Sequence, residues 1–573
     1  MEKQEFLNHA LALLSDLYPQ SYEGILNLLI ERLESTKGFQ PRDLRCDENA
    51  LIRSSGPLTH ETILITYGNS ITKGGEVGLV TLERFLKTYV GNVISTVHLL
   101  PFYPYSSDDG FSVIDYQEVD PLIGTWTNIT DFSYSYHLMF DAVINHVSRT
   151  SQWFKRFLED KTPEKHYFIE GDSTADYSMV VRPRALPLLT KVETQNSEKH
   201  VWTTFSADQI DLNYQSPELL AKILSILISY AKSGASLIRL DAIAYSWKKQ
   251  GSSCINLPET HTLVKLIRLC LDFYAPGTRI ITETNVPHLE NISYFGHGDE
   301  ANMVYQFALP PLTLFSFRSG NAAKLMNWLS KLEEPLDGCN YFNFLSSHDG
   351  IGLMPIESIL DEREQQFLEK STLESGGKIS YKDRGDGTQS AYELNINYQD
   401  ALASPNESDT VRIERFLSAE TFLFSLRGVP GLYIHSLLGS RNNYKEMADS
   451  GLPRRINRGS LDYDLLVQEF ERGSIRKVIF DELIRRLQIR STHPALGVAS
   501  DQKVIFLDHR LISFIRHSTN LDQEESILVL INVSDEVINV SLEKPGVDLL
   551  TNQRKDVILD IAPRSSLWLL FDR

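Results

Sequence analysis

Arg239 and Asp241 stand two positions apart in SLIRLDAIAY (236–245), where the aliphatic run Leu237, Ile238, Leu240, Ile243 marks a short buried strand and its end. On an extended strand residues i and i+2 share a face, so this guanidinium can partner this carboxylate. Alone, the pair reads equally well as a structural ion pair. Other segments finish in a comparable way, with Asp141, Asn145 and His146 in DAVINH, Glu283 after RIIT, and His348-Asp349 after SS. Two carboxyl groups facing one sugar bond are what glycoside transfer requires. One attacks the anomeric carbon or activates water, and the other protonates the departing oxygen. Asp241, kept ionised by Arg239, is the natural nucleophile. Glu283, set among neutral residues (IITETNVPH), suits the acid/base once its site raises its pKa. Asp349 is placed to hold sugar hydroxyls and to stabilise positive charge on the ring. A metal site is the chemical rival. Arg239 competes for its space, and the histidines lack the H-x-x-x-H spacing of a helical zinc pair, so no metal is expected.

These residues converge only if a scaffold brings several strand ends to one mouth. Strand-like segments at 61–67, 93–100 and 140–144 alternate with helical ones such as 79–89 and 217–232. The rhythm resumes through 236–241, 279–282, 303–309, 341–345 and 431–435. Strands alternating with helices predict a parallel sheet, and this many units predict a (β/α)8 TIM barrel whose C-terminal strand ends carry the chemistry. The barrel is expected over 61–146 and 212–498. Residues 147–211 lose the rhythm and read as an inserted subdomain after the third strand. Two helices divided by Pro19 are expected within an N-terminal extension, 1–60. Short alternating strands after Ala499 predict an all-β C-terminal domain, 499–573. The Gly-, Asp- and Ser-rich stretch 371–408 is expected to be a long mobile loop.

Composition narrows the partners. The formal charge of −19 disfavours nucleic acid and anionic membrane surfaces while leaving small sugars open. The four cysteines, Cys46, Cys254, Cys270 and Cys339, form no C-x-x-C pair, so neither a zinc site nor a disulfide framework is signalled. The N-terminus MEKQEFLNHA lacks a signal-peptide pattern and no run approaches a membrane span, so the cytoplasm is the expected compartment.

DAVINH, IRLDAIAY, ITETN and SSHD together resemble the four short conserved regions of the α-amylase superfamily. LLPFYPYSSDDGFSVIDY, RPRALP, VYQFALPPL, SSHDGIG, YELN and RRINR are similar to its sucrose phosphorylase branch. The resemblance implies a retaining double displacement. Asp241 would form a β-glucosyl ester, Glu283 would protonate the leaving acceptor, and Asp349 would stabilise the transition state. Phosphate would then attack to give α-glucose 1-phosphate, with no cofactor beyond this co-substrate. It further implies that Asp108, His146, Arg239 and His348 grip the glucosyl unit. Phe111 and Tyr245 match walls of the donor site, and Phe205 a wall at its entrance. Arg184, Tyr392 and Arg458 match the acceptor and phosphate site. Asn145 matches one ligand of the calcium site of many amylases, but the other ligands come from a subdomain that differs here.

One position departs from the sucrose phosphorylases, which carry Gln where this chain has Glu393. With SGLPRRINRG and WKKQGSSCINLPETH, this looks more like the glucosylglycerate phosphorylases of the same branch. A three-carbon acceptor is then favoured over a fructosyl one. Glu393 would repel a glycerate carboxylate unless an arginine such as Arg455 intervenes. Sucrose, sucrose 6′-phosphate or glucosylglycerol as donor, a hydrolase or transglucosidase, and a non-catalytic amylase-like binding protein are the alternatives.

Overall fold

The computed structural model describes residues 1–39, 59–183, 186–383, 388–519 and 524–572. Eight strands close a parallel barrel: β1 (Ile63–Thr66), β2 (Thr96–Leu99), β3 (His137–Ala142), β4 (Ala235–Leu240), β5 (Arg279–Thr282), β6 (Met303–Tyr305), β7 (Asn340–Phe344) and β8 (Val429–Tyr433). Each strand pairs with its neighbours in chain order, and β8 returns to β1 with Ile63 beside Gly431. Every strand residue except His137 is buried, since side chains fill the barrel on one face and meet helices on the other. That explains why these segments read as apolar runs without alternation.

The register sets the site. Asp141 on β3 lies beside Arg239 on β4, and Arg239 lies beside Ile281 on β5, so the catalytic candidates start from one level of the barrel. The third strand ends two residues earlier than expected. Asn145 follows it, and His146 opens a separate strand, His146–Ser148, paired antiparallel with Gln209–Asp211. The eighth strand also stops early, because Ile434–Leu437 is helical and takes His435 with it.

The stretch 371–408 is not a long loop. It carries the end of the helix Glu362–Glu374, a hairpin of Lys378–Asp383 with Gln389–Asn395, and the short helix Tyr398–Leu402. The hairpin escapes a hydrophobicity reading because its buried end includes polar Glu393 and Asn395 alongside Leu394. Polarity inside marks a face turned toward a site.

The helices Lys3–Leu17 and Tyr22–Glu34 dock on the barrel's outer helices. Phe6, Ala10, Leu14 and Leu17 form the buried stripe, with Phe6 stacked on Phe273 at 4.4 Å. Beyond the barrel, a six-stranded antiparallel sheet has Asp501–Val504 at one edge, Gln553–Lys555 at the other and Ser566–Phe571 in its interior. Phe514, Val529 and Trp568 turn toward the barrel, and the Trp568 indole donates to Ser425 Oγ at 2.6 Å. Leu528, Leu530 and Leu569 face the other way, into a second core. Cys254, Cys270 and Cys339 are free and buried, while Cys46 lies outside the described residues. Among the described residues no helix is long and apolar enough to cross a membrane.

Candidate active site

The site begins in the barrel interior. His98 on β2 donates from Nε2 to Asp141 Oδ2 at 2.7 Å, and Arg239 donates from Nη1 to Asp141 and, at 2.8 Å, to Asp241 Oδ1. The guanidinium also lies over the rings of Phe111 and Tyr305, at 5.7 and 5.6 Å. Asp241 is thus fixed by a cation that is itself locked in place.

Immediately after Asp241 the chain turns sharply. Ala242 takes up a left-handed conformation with φ +47°, a strained choice for a residue with a Cβ. The turn aims the Ala242 N–H at Glu283, whose Oε2 accepts at 2.9 Å. Glu283 also follows β5 in register, donating its backbone N–H to the Leu240 carbonyl at 3.1 Å. The ends of β4 and β5 therefore hold both carboxyls against one cavity, and Asp349, beyond β7, lines the same cavity.

Aromatic rings enclose two sides. Phe111 stacks on His348 at 4.8 Å with planes 4° apart, while Phe205 packs edge-on against Tyr245 at 5.4 Å and beside His146 at 5.4 Å. His146 donates from Nε2 to the Phe111 carbonyl at 2.8 Å, a bond that Gln209 reinforces at 2.9 Å. These five rings, together with Asp108, line this cavity. Asp108 and Asp109 both adopt φ +51°, in the loop after β2.

Around Tyr392 and Glu393 the structure redistributes the arginines. Arg458 is buried and its donors are spent within the protein: on the His348 carbonyl (2.7 Å), Asp109 (2.9 Å), Asp108 (3.4 Å) and Asp349 (3.4 Å). It braces the loops under the site and does not line the cavity. Arg455, expected beside Glu393, instead pairs with Asp109 and with Glu446 at 3.3 Å. The neighbour, Arg454, meets Glu393 with a fork of 2.8 and 3.2 Å and reaches Asp349 at 2.7 Å. Residues 453–457 form a tight 3-10 turn, so successive side chains leave in different directions. Tyr392 and Glu393 line the cavity from the hairpin. Arg184 lies outside the described residues, although Pro183 before it lines the cavity.

Asn145 contributes to a different charge site. The buried Lys248 ammonium donates to Asn145 Oδ1 at 2.7 Å and meets Asp211 at 2.9 Å, tying the insert to the barrel. A cation bound to the chain already occupies the position between these two oxygens. Among the described residues, no cluster of three or more His, Cys, Asp or Glu side chains is arranged to hold a metal ion.

Electrostatics separates the three carboxyls. For Asp349 burial acts upward, but Arg454, with His348 and Arg458 after it, overcomes it and holds the carboxyl well below the usual range. Burial pushes Asp241 well up, with Arg239 opposing and Glu283 adding to the rise. It raises Glu283 as well, against the pull of Arg239. The two titrate as a pair, both shifted upward with burial as the first cause. Arg239 is shared between Asp241 and Asp141, and burial works against the charge on Asp241. His348 is held down to about 3 by burial and is neutral.

Comparison with known proteins places the chain in a family. The family of the α-amylase catalytic domain matches residues 88–368. The chain is 44% identical to the glucosylglycerate phosphorylase of Allomeiothermus silvanus, over 90% of this chain and 92% of that protein. It is 43% identical to the glucosylglycerate phosphorylase of Escherichia coli, over 84% and 85% of the two chains. The crystal structure of sucrose 6F-phosphate phosphorylase from Thermoanaerobacter thermosaccharolyticum superposes with a TM-score of 0.72 at 23% identity, covering 91% of this chain and all of that one. The closed barrel, its carboxyl-bearing strand ends and this identity across nearly the whole length lead to one conclusion: the chain belongs to the α-amylase superfamily, in the family of the glucosylglycerate phosphorylases.

Proposed function

We propose that this protein is a retaining α-glucoside phosphorylase that converts 2-O-α-glucosylglycerate and inorganic phosphate into α-glucose 1-phosphate and glycerate. The observation that carries the mechanism is the division of labour among three carboxyls at one cavity. Asp349 is paired with Arg454 and held low, whereas Asp241 accepts from Arg239, Glu283 accepts from the Ala242 N–H, and burial shifts both of these upward. The similarity to glucosylglycerate phosphorylases supports the choice of donor.

In the reactive complex the proton resides on Glu283, because only Asp241 accepts from the Arg239 guanidinium. Asp241 attacks the anomeric carbon as the C1–O bond to glycerate breaks, and Glu283 gives its proton to the departing oxygen. Asp349 stabilises the positive charge that builds on the ring. Phosphate then attacks C1 from the face glycerate left, Asp241 departs as carboxylate, and Glu283 recovers a proton from phosphate. Two inversions leave the α configuration intact. Phe111, His348, Tyr245 and Phe205 enclose the glucosyl unit and exclude water from the ester.

The test is to incubate the protein and phosphate with glucosylglycerate, glucosylglycerol, sucrose and sucrose 6′-phosphate, measuring glucose 1-phosphate. Glucosylglycerate is expected to give the highest kcat/KM. Free glucose in place of the sugar phosphate would replace this reading by a hydrolase or transglucosidase.

A further inference from the structure

A phosphorylase of this kind handles two anions in succession at one place. Glycerate leaves with its carboxylate, and phosphate enters with its own negative charge. The cavity is poorly disposed to receive either. Asp108, Asp241, Glu283, Asp349 and Glu393 all line it, whereas its two histidines are driven toward the neutral form by burial. Against these carboxyls, Arg454 is the only lysine or arginine among the described residues that lines the cavity. An anion entering such a field needs a charge-assisted fork.

Arg454 is built for that role and is already holding carboxylates. Its Nε and Nη2 grip both oxygens of Glu393, its Nη1 reaches Asp349, and Nη2 comes to 3.5 Å of the Tyr392 hydroxyl. Glu393 is also anchored from the other side, accepting from the Gly350 N–H at 3.1 Å. It therefore has a partner to retain when Arg454 releases one of its bonds. A guanidinium has five donors, and three of them serve Glu393 and Asp349. The remaining donors, one of them facing the Tyr392 hydroxyl at 3.5 Å, are what a carboxylate or phosphate can take.

Resting on the phosphorylase reading, we propose that Arg454 is the anion anchor shared by glycerate and phosphate, and that Glu393 is its resident counter-ion, displaced in part when either binds. Glu393 then does not exclude an acidic acceptor. It lowers the affinity of Arg454 for anions enough that both products can leave, and it keeps the guanidinium aimed while they exchange. A neutral acceptor gains nothing from displacing it, so the pair selects for acidic acceptors over water and glycerol.

The test uses one glucosyl-enzyme and lets acceptors compete for it. With α-glucosyl fluoride as donor, the products formed with phosphate, glycerate, glycerol and water give partition ratios. These ratios cancel any change in forming the ester, including damage transmitted through Asp349. Arg454→Gln is expected to shift the partition from the two anions toward glycerol and water by at least tenfold. Arg454→Lys, which keeps charge without the fork, should give a smaller shift in the same direction, and it serves if the glutamine variant fails to fold. Glu393→Gln should shift the partition several-fold toward the anions. Unchanged partition in both Arg454 variants overturns the anchor, and a shift away from the anions in Glu393→Gln overturns the displacement. A wild-type protein with no preference for anions over water would remove the phosphorylase reading and this inference with it.

Discussion

At the N-terminal end of the barrel Arg279 donates to the two oxygens of Glu61 at 2.6 and 2.7 Å, and Thr96 adds a bond at 2.9 Å. At the C-terminal end Arg239 is divided between Asp141 and Asp241, with Glu283 and Asp349 close by. Both clusters are buried and charged, yet their balance differs. For Glu61 burial acts upward, but Arg279 overcomes it and the carboxyl is lowered. At the other end carboxyls outnumber the cations that reach them, and Asp241 and Glu283 are raised. A saturated pair holds the barrel shut, whereas an under-compensated set stores the unfavourable charge that chemistry uses.

That contrast breaks most visibly at Asp241. Asp241→Asn is expected to lower glucose 1-phosphate formation by at least about 10⁴-fold, as loss of a nucleophile does. Its Tm is expected to rise, because one crowded carboxylate is gone. A Tm that falls while turnover survives would return Asp241 and Arg239 to the class of structural ion pairs.

Glu61→Gln should do the reverse. It leaves the Arg279 guanidinium buried without its charge partner, at a cost of about 3–5 kcal/mol. Denaturant unfolding should show that loss, with kcat/KM of the protein that remains folded within about twofold of wild type. A large fall in kcat/KM with unchanged stability would show that the two ends are coupled.

Glu420 sharpens the comparison as a third case, a buried carboxyl with no cation. It lies on the helix Asp409–Ser425, neither oxygen has a well-formed hydrogen bond, and burial, opposed by nearby Ser436, pushes it up to about 8. The folded state therefore binds a proton that the unfolded chain, with an ordinary carboxyl at 4.5, gives up. Stability from this group is fully present below pH 4.5 and is lost as pH rises toward 8. Glu420→Gln, which cannot ionise, should be more stable than wild type by about 4 kcal/mol at pH 8. The gain should vanish near pH 4.5. An equal gain at both pH values would mean that packing, not the proton, sets the difference.

Much of this was legible in the residues. The parallel barrel followed from alternating segments, and the site from polar residues that end apolar runs. The hairpin at 378–395 was not legible, because its inward face is polar where it meets the cavity. The roles of the three arginines in RRINR were not legible either. Their partners lie far along the chain: Arg458 meets Asp109 across 349 positions and Arg454 meets Glu393 across 61.

The sequence by itself determined the scaffold and the three strand-end carboxyls that line one cavity, since local periodicity specifies strands and helices and a βα repeat carries each strand end to the same mouth. Only the tertiary structure decided that Arg454, rather than Arg455 or Arg458, lines the cavity beside Glu393, and that burial shifts Asp241 and Glu283 upward together. Both depend on what distant loops bring within a few ångströms, and on how far burial strips water from a charge. Neither quantity is a property of neighbouring residues.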